Sequence, residues 1–261
     1  MDIIISVILA LILVFATLKK RAFTPAAATL AAFILVFSAL AASYAGIFIV
    51  LFAYGAVFAV DLALGKKSER VTSGINKKSG ARDVVQVLAN SLAALLALAL
   101  GMITGRGEFT VVYAVALTEC LADSLASDVG VLSKKPPVDI CTHRPIERGL
   151  SGGVSALGTL AAFSGCLFMS LFTIIFFGFS VKYFLSILLI PMLGITLDSI
   201  LGSLVQAKYT CSVCGKKTEK PIHCSAPCTL SGGTRLINND TVNFLSNFIT
   251  SLVALLVLII L

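Results

Sequence analysis

The chain has 261 residues, of which 58% are hydrophobic and 13% charged, with a net charge of +7 and a mean hydropathy of +1.01. These values describe a polytopic integral membrane protein and leave no soluble domain of useful size. The positive balance does not mark a nucleic-acid binder, because the basic residues sit in short loops between apolar runs, where they set topology and meet anionic membrane lipid.

A membrane crossing needs about 20 mostly apolar residues, and eight windows qualify: 2–18, 25–43, 46–64, 84–103, 109–128, 152–178, 183–206 and 242–261. In the first, the basic run Lys19-Lys20-Arg21 follows the apolar core and no small-residue cleavage site appears, so it reads as a retained helix rather than a signal peptide. Windows two and three meet at Ser43-Tyr44-Ala45-Gly46, a turn so short that one long helix competes with two. The expected fold is an all-α integral membrane protein of about eight transmembrane helices. It forms a single polytopic domain, 1–261, with a Cys-rich loop at 207–238 inserted between helices seven and eight.

Charge fixes the sidedness. Loop one carries Lys19, Lys20 and Arg21; loop three Lys66, Lys67, Arg70, Lys77, Lys78 and Arg82; loop five Lys134, Lys135, Arg144 and Arg148; loop seven Lys208, Lys216, Lys217, Lys220 and Arg235. Thus 18 of 20 basic residues fall on odd loops, against Arg106 and Lys182 on even ones. The positive-inside rule makes the odd loops cytoplasmic and both termini external. Polar residues gather at the same end: Asp61, Asp83, Gln86, Asn90, Asp123, Asp128, Asp198, Gln206, Asn239, Asp240 and Asn243. A transporter usually carries polar groups through the midplane toward both faces. A one-sided cluster fits an enzyme of the cell membrane that joins a cytosolic substrate to a lipid.

A weak internal repeat accompanies this pattern. Asp83-Val-Val-Gln86 followed by Asn90 aligns with Asp240-Thr-Val-Asn243 followed by Asn247, and Asp61 with Gly65 aligns with Asp198 with Gly202. Windows two to four would then correspond to six to eight as a duplicated three-helix unit.

The fifth window ends in LTECLADSLASDVG, with Glu119, Asp123 and Asp128. An acid at membrane depth costs at least ~2.5 kcal/mol on insertion scales, which makes it a functional-site candidate. Glu119, Asp123 and Ser127 share one helical face and Asp128 is rotated away. Carboxylates at a wet helix end suit Mg²⁺, which completes its shell with water and substrate phosphates; interhelical hydrogen bonding is the alternative, and Glu119, deepest of the three, is the weakest ligand candidate. Loop five supplies Lys134, Lys135, His143, Arg144 and Arg148 ahead of Gly149, Ser151, Gly152 and Gly153 at the expected start of window six. Glycines and a serine cap at a helix N-terminus bind anions, and arginine grips phosphate in bidentate fashion. Asp198, between Gly194 and Gly202, has room on its face for a helix or a ligand. Gln86, Asn90, Asn239, Asp240 and Asn243 would orient these groups, hold a base or ribose, or bond between helices. Of seven cysteines, Cys120 and Cys166 lie in apolar segments and Cys141 is alone in a loop. The remaining four stand in YTCSVCGKKTEKPIHCSAPC, where Cys211, Cys214 and Cys224 with His223 or Cys228 have the spacing of a zinc knuckle, a structural Zn²⁺ site.

The set ADSLASDVG, RP followed by GLSGGVSALGT, LDSILGSLVQAKYTCSVCGKKTE followed by HC, and NNDTVNF resembles a family of polytopic membrane proteins that includes the plant phytyl-phosphate kinases. A fainter similarity, at Asp123 to Gly130 with the basic loop and glycine pair, reaches dolichol and phytol kinases and CDP-lipid synthases. The resemblance implies transfer of a phosphoryl group from a nucleoside triphosphate, CTP or ATP, to an isoprenyl monophosphate. Asp123, Asp128, Arg144, Gly152, Gly153, Asp198, Asn90 and Asp240 match its motif positions, and Cys228 falls outside the pattern, which favours His223 with Cys224. On this reading the nucleotide phosphates lie on Lys134, Lys135 and the Arg144 to Gly153 loop, and Mg²⁺ bridges them to Asp123 with Asp128 or Asp198. Alternatives are an isoprenoid alcohol kinase or cytidylyltransferase, and a transporter of an anionic or phosphorylated solute. The oligomeric state stays open.

Overall fold

In lipid every backbone polar group must be bonded within its own segment, so the apolar runs fold as helices. The computed structural model describes residues 2–72, 74–75 and 80–260; Lys77 and Lys78 of loop three lie outside the described residues. Its helices are α1 (Asp2–Lys19), α2 (Pro25–Thr72), α3 (Val84–Thr104), α4 (Glu108–Gly130), α5 (Ala156–Phe177), α6 (Val181–Leu204) and α7 (Asn239–Ile260). Six are long and apolar enough to cross a membrane, α2 counted once, and α1 carries a shorter apolar stretch, Ile3–Lys19.

The 48 residues of α2 are not one rod. Ala42 (φ −137°) and Ser43 (φ 49°, ψ −137°) break it, and a Cβ placed on Gly46 would collide with the Ser38 carbonyl. Eight residues of continuous helix span about 12 Å, so that contact requires the chain to turn sharply back. The Tyr113 hydroxyl of α4 holds the turn, lying 2.8 Å from the Gly46 carbonyl and 3.0 Å from Ser38 Oγ.

Around α4 the other helices close a ring, since α2, α3, α5, α6 and α7 all pack against it. Its apolar stretch is 72% buried, against 28–39% for the other five candidate spans. Small residues allow this approach: a Cβ on Gly130 would lie 3.2 Å from Gly158 Cα of α5.

The four odd loops meet at one end. The Arg82 backbone N–H donates to the Ala22 carbonyl at 2.8 Å, joining loops one and three; Glu219 N–H donates to the Ile75 carbonyl at 2.9 Å, joining seven and three. Ser151 N–H donates to Glu219 Oε1 at 3.0 Å, joining five and seven. The partition of basic residues among the loops therefore corresponds to one physical end of the helix ring.

Two expectations are corrected by the fold. It is not all-α, because loop seven forms an antiparallel sheet ordered β4-β3-β6-β5 from β3 (Lys208–Cys211), β4 (Lys217–Thr218), β5 (Ile222–His223) and β6 (Ala226–Gly232). Residues along β6 alternate between exposed and half-buried, the period of two that a one-sided sheet requires. Window six also starts late. Ser151, Gly152 and Gly153 lie outside the helix, because β1 (Val138–Asp139) pairs with β2 (Gly153–Val154), and the true N-cap of α5 is Ser155, whose Oγ accepts from Gly158 N–H at 3.1 Å.

Gly46→Ala is expected to destabilise the protein by about 1–3 kcal/mol, the usual range for overpacking, read as earlier thermal exposure of the buried Cys120 and Cys166 thiols in detergent. Gly55→Ala, whose added Cβ would meet nothing within 4 Å, should leave that temperature unchanged.

Candidate functional site

At the loop end, α4, α6 and the starts of α5 and α7 enclose a cavity of about 450 Å³. Five acids line it: Asp123, Asp128, Asp198, Glu219 and Asp240. Among the described residues no lysine, arginine or histidine does. Asp128 lines it despite its angle to Asp123, because the cavity wraps around the last turn of α4, where Ser127 also faces it.

Three helices begin at this cavity and turn their positive ends toward it. Asp83 Oδ1 caps α3 by accepting from Gln86 N–H at 2.9 Å, and Gln86 Oε1 accepts in return from Asp83 N–H at 3.0 Å. Ser155 caps α5, and Asn238 Oδ1 accepts from Thr241 N–H at 3.0 Å at the head of α7. Gln86, Ser155, Asn239 and Asp240 all line the cavity. Unbonded N–H groups and aligned peptide dipoles at such ends favour anions.

The polar residues on the helices sort by depth. Glu119 is 3% exposed, and its oxygens accept from Ser246 Oγ at 3.0 Å and Asn247 Nδ2 at 2.6 Å. Gly194 leaves space that Glu119 and Thr250 occupy, so the room beside Asp198 is taken by a helix. Ser246 Oγ also lies 3.2 Å from Asp198 Oδ2. Asn243 sits 3.2 Å from Asn90, and its amide nitrogen, oriented to satisfy both neighbours, donates to Asp198 Oδ2 at 3.3 Å and to the Asn239 carbonyl at 2.9 Å. Asn90 and Asn243 thus join α3 to α7 and orient Asp198; neither lines the cavity.

Loop five keeps its basic side chains apart from the cavity. Arg144, Lys134 and Lys135 are exposed, and Arg148 Nη2 donates to the Lys134 carbonyl at 2.9 Å. None of the four lines the cavity, because the chain between Asp139 and Arg144 closes on itself: Asp139 N–H donates to the Arg144 carbonyl at 2.9 Å, while Asp139 Oδ1 accepts from Cys141 and Thr142 N–H groups at 3.0 and 2.8 Å. Gly149, Ser151, Gly152 and Gly153 do line it. The Gly152 conformation (φ 88°) and its contact with α6, where a Cβ would lie 2.6 Å from Ser203 Cα, both demand glycine.

Ser151 already holds a carboxyl group. Its N–H and its hydroxyl both donate to Glu219 Oε1, so a carboxylate of loop seven occupies the donors expected for phosphate. Burial pushes the Glu219 pKa up, against the opposing effect of the Ser151 bonds. Neither Glu219 nor Arg82 stands out in the sequence as a site residue; Arg82 lies within electrostatic reach of Asp123 and Asp128. Glu219 stands in a polar loop where nothing local distinguishes it, and its role becomes visible only through a partner 68 residues away.

In loop seven, Cys211, Cys214, His223 and Cys224 place their donor atoms within 4.8 Å of one another. Cys228 stands opposite Cys211 across β3 and β6 and is not in this group. The Cys214 N–H aimed at the Cys211 sulfur brings that thiol down to about 6, whereas the facing Cys214 and Cys211 thiols push Cys224 up to about 11.

Hydrogen exchange at residues 149–153 tests the Glu219 contact. Because the folded-state pKa of Glu219 is raised above the ordinary glutamate value of 4.5, its stabilising contribution is full below that value and falls as pH rises through the folded one. Wild-type protection should decline across that window; Glu219→Gln should flatten the decline, and Glu219→Ala should lose protection at every pH.

The family model for Integral membrane protein DUF92 matches residues 8–251. Protein PGR of Arabidopsis thaliana is 29% identical over 232 residues, 77% of this chain and 80% of that protein. An uncharacterized membrane protein of Synechocystis is 29% identical over 62% of this chain and 64% of its own length. Another, from Methanocaldococcus jannaschii, is 31% identical over 49% of this chain and 52% of its own. No solved structure matches at a significant level. With nearly its whole length covered by the family model, the chain belongs to the DUF92 family of integral membrane proteins.

Proposed function

We propose that this protein is a membrane phosphotransferase that moves a phosphoryl group from a nucleoside triphosphate, CTP or ATP, to an isoprenyl monophosphate at the cytoplasmic face. The observation that carries the reading is the cavity, where five acids and three helix N-termini converge without a basic side chain among the described residues. Nucleotide phosphates meet the N–H groups at the heads of α5 and α7. Asp123, Asp128 and Asp198 offer hard oxygen donors of the kind Mg²⁺ takes, and Mg²⁺ bound there would neutralise phosphate charge. Asn243 and Ser246 fix the rotamer of Asp198, and the loop-seven sheet limits water. An acceptor that is already a phosphate needs no strong base, so positioning and charge neutralisation suffice.

The lipid reaches this site from the side. An apolar groove between α1 and α2, lined by Leu13, Phe23, Leu35, Leu51 and Phe58, ends at Asp61 and Arg82. Arg82, within electrostatic reach of Asp128, meets the lipid phosphate on this reading. In this topology α2 crosses twice about its break at Ser43, giving eight crossings with the basic loops inside. The pairing of the Asp83 and Asp240 segments, through Asn90 and Asn243, is compatible with a duplicated three-helix unit.

Purified protein in detergent, given isoprenyl phosphates, each of the four nucleoside triphosphates and Mg²⁺, should form the diphosphate with at least one pairing. No product from any pairing with a folded protein would sink the proposal. Product from isoprenoid alcohols alone, or a CDP-lipid, would reassign it to an alcohol kinase or a cytidylyltransferase, and flux into liposomes without nucleotide turnover to a transporter. Asp123→Ala should lower turnover by about 10²–10³-fold, the size of a lost charge-stabilising group, whereas Arg144→Ala, exposed outside the cavity, should change it little.

A further inference from the structure

The Cys211, Cys214, His223 and Cys224 group is the best-formed ligand set outside the cavity. Tetrahedral zinc with Zn–S bonds of about 2.3 Å holds its ligand atoms about 3.7 Å apart. Here His223 Nδ1 lies 3.5 Å from Cys214 Sγ and 3.2 Å from Cys224 Sγ, and the whole set spans 4.8 Å at most. The cysteines are free thiols.

The backbone is shaped for these ligands at some cost. Cys211 and Cys214 sit on a turn closed by Gly215 (φ 71°), with Gly215 N–H donating to the Cys211 carbonyl at 2.9 Å. The second pair, His223 and Cys224, is adjacent in sequence, a spacing that normally sends side chains apart. The β5–β6 hairpin overcomes this. His223 pairs with Ala226, leaving Cys224 (φ 51°) and Ser225 (φ 58°) as a two-residue turn with both residues left-handed. Such turns strongly favour Asn-Gly, and a non-glycine residue held left-handed is disfavoured by contact of its Cβ with the backbone. Turn propensity does not explain Cys-Ser here; a demand for the Cys224 sulfur beside the His223 ring does.

The knuckle also has a mechanical position. Four residues past Cys214, Thr218 Oγ1 donates to the carbonyls of Gly74 and Ile75, each at 3.0 Å, and Glu219 meets Ser151. The His223 ring, on its Nε2 side, lies against Gly74. We propose that Cys211, Cys214, His223 and Cys224 bind one structural Zn²⁺, and that this ion locks the loop-seven sheet so that Thr218 and Glu219 clamp loops three and five over the cavity. Metal coordination replaces the hydrophobic core that a sheet of this size lacks. The proposal does not rest on the phosphotransferase reading, since every readout below is independent of turnover.

The full chain, purified in detergent without chelator, should contain one zinc per chain by elemental analysis. Cys214→Ser and Cys224→Ser should each lose it, and Cys141→Ser and Cys228→Ser should keep it. Replacement by Co²⁺ should give the intense visible bands and thiolate charge-transfer absorption of a tetrahedral three-sulfur site, which covers the case in which a serine variant fails to fold. Removing the metal with a chelator should raise hydrogen exchange at residues 149–153 and at Gly74 and Ile75 together. Protein that carries no zinc and takes up no Co²⁺, or that keeps zinc in both Cys214→Ser and Cys224→Ser, overturns the site. Metal loss that leaves exchange at those two segments unchanged overturns the clamp.

Discussion

Asp123, Asp128, Asp198, Glu219 and Asp240 share one cavity in which no basic side chain balances them among the described residues. Two like charges about 6 Å apart repel by about 3 kcal/mol at an effective dielectric of about 20, so such a gathering needs positive charge from elsewhere. The fold supplies part of it through backbone, since α3, α5 and α7 all begin at this end with capped first turns directed at the same space. Arg82 contributes from the flank. That arrangement accounts for the concentration of polar side chains at one end of the ring. It also explains why α4 is the most enclosed helix: it carries Asp123 and Asp128 and must meet all five of its neighbours to bring their termini around them.

Loops complete the enclosure by anchoring both to the helices and to one another. Asp139 of loop five accepts from Ser203 Oγ of α6 at 2.9 Å, and Gly152 packs on the Ser203 backbone. Loop seven then adds Glu219 on Ser151 and Thr218 on Gly74 and Ile75. The Ser151 N–H and hydroxyl are thus both taken by a buried carboxyl group from loop seven. The contact ties loop seven to loop five over the cavity.

Apolar windows were legible because a lipid-spanning helix has a composition no other element shares, and the split of basic residues was legible because each loop is short. The acids Asp123, Asp128 and Asp198 could be singled out for the same reason: in an apolar segment a carboxylate stands out. Loop chemistry was not legible in this way. Arg144 and Arg148 looked like phosphate ligands from spacing alone, yet the Asp139 turn and the Lys134 carbonyl fix them on the outer surface. Glu219 and Arg82 went unmarked, since their value comes from contacts made across tens of residues. The break in α2 falls where the second and third windows meet, at Ser43 to Gly46, and Tyr113 of a different helix holds it. The sheet of loop seven was hidden because its four strands are two to seven residues long, too short for their alternation to rise above chance.

Depth along α4 decides what each acid can do. Four residues of helix advance about 6 Å along the axis, and that single step separates Glu119 from Asp123. At the deeper position α7 delivers Ser246 and Asn247 to the carboxylate, so its lone pairs are committed within the protein. One turn later the neighbouring chains have diverged, the cavity opens, and Asp123 lines it instead. Asp198 stands between these limits, with Ser246 and Asn243 on one oxygen and the cavity beside it. Ser246 touches both Glu119 and Asp198, so the two acids are linked through a shared hydroxyl. The most deeply buried carboxylate of the set is thus committed to bonds within the protein, and the carboxylates nearer the loop end open onto the cavity.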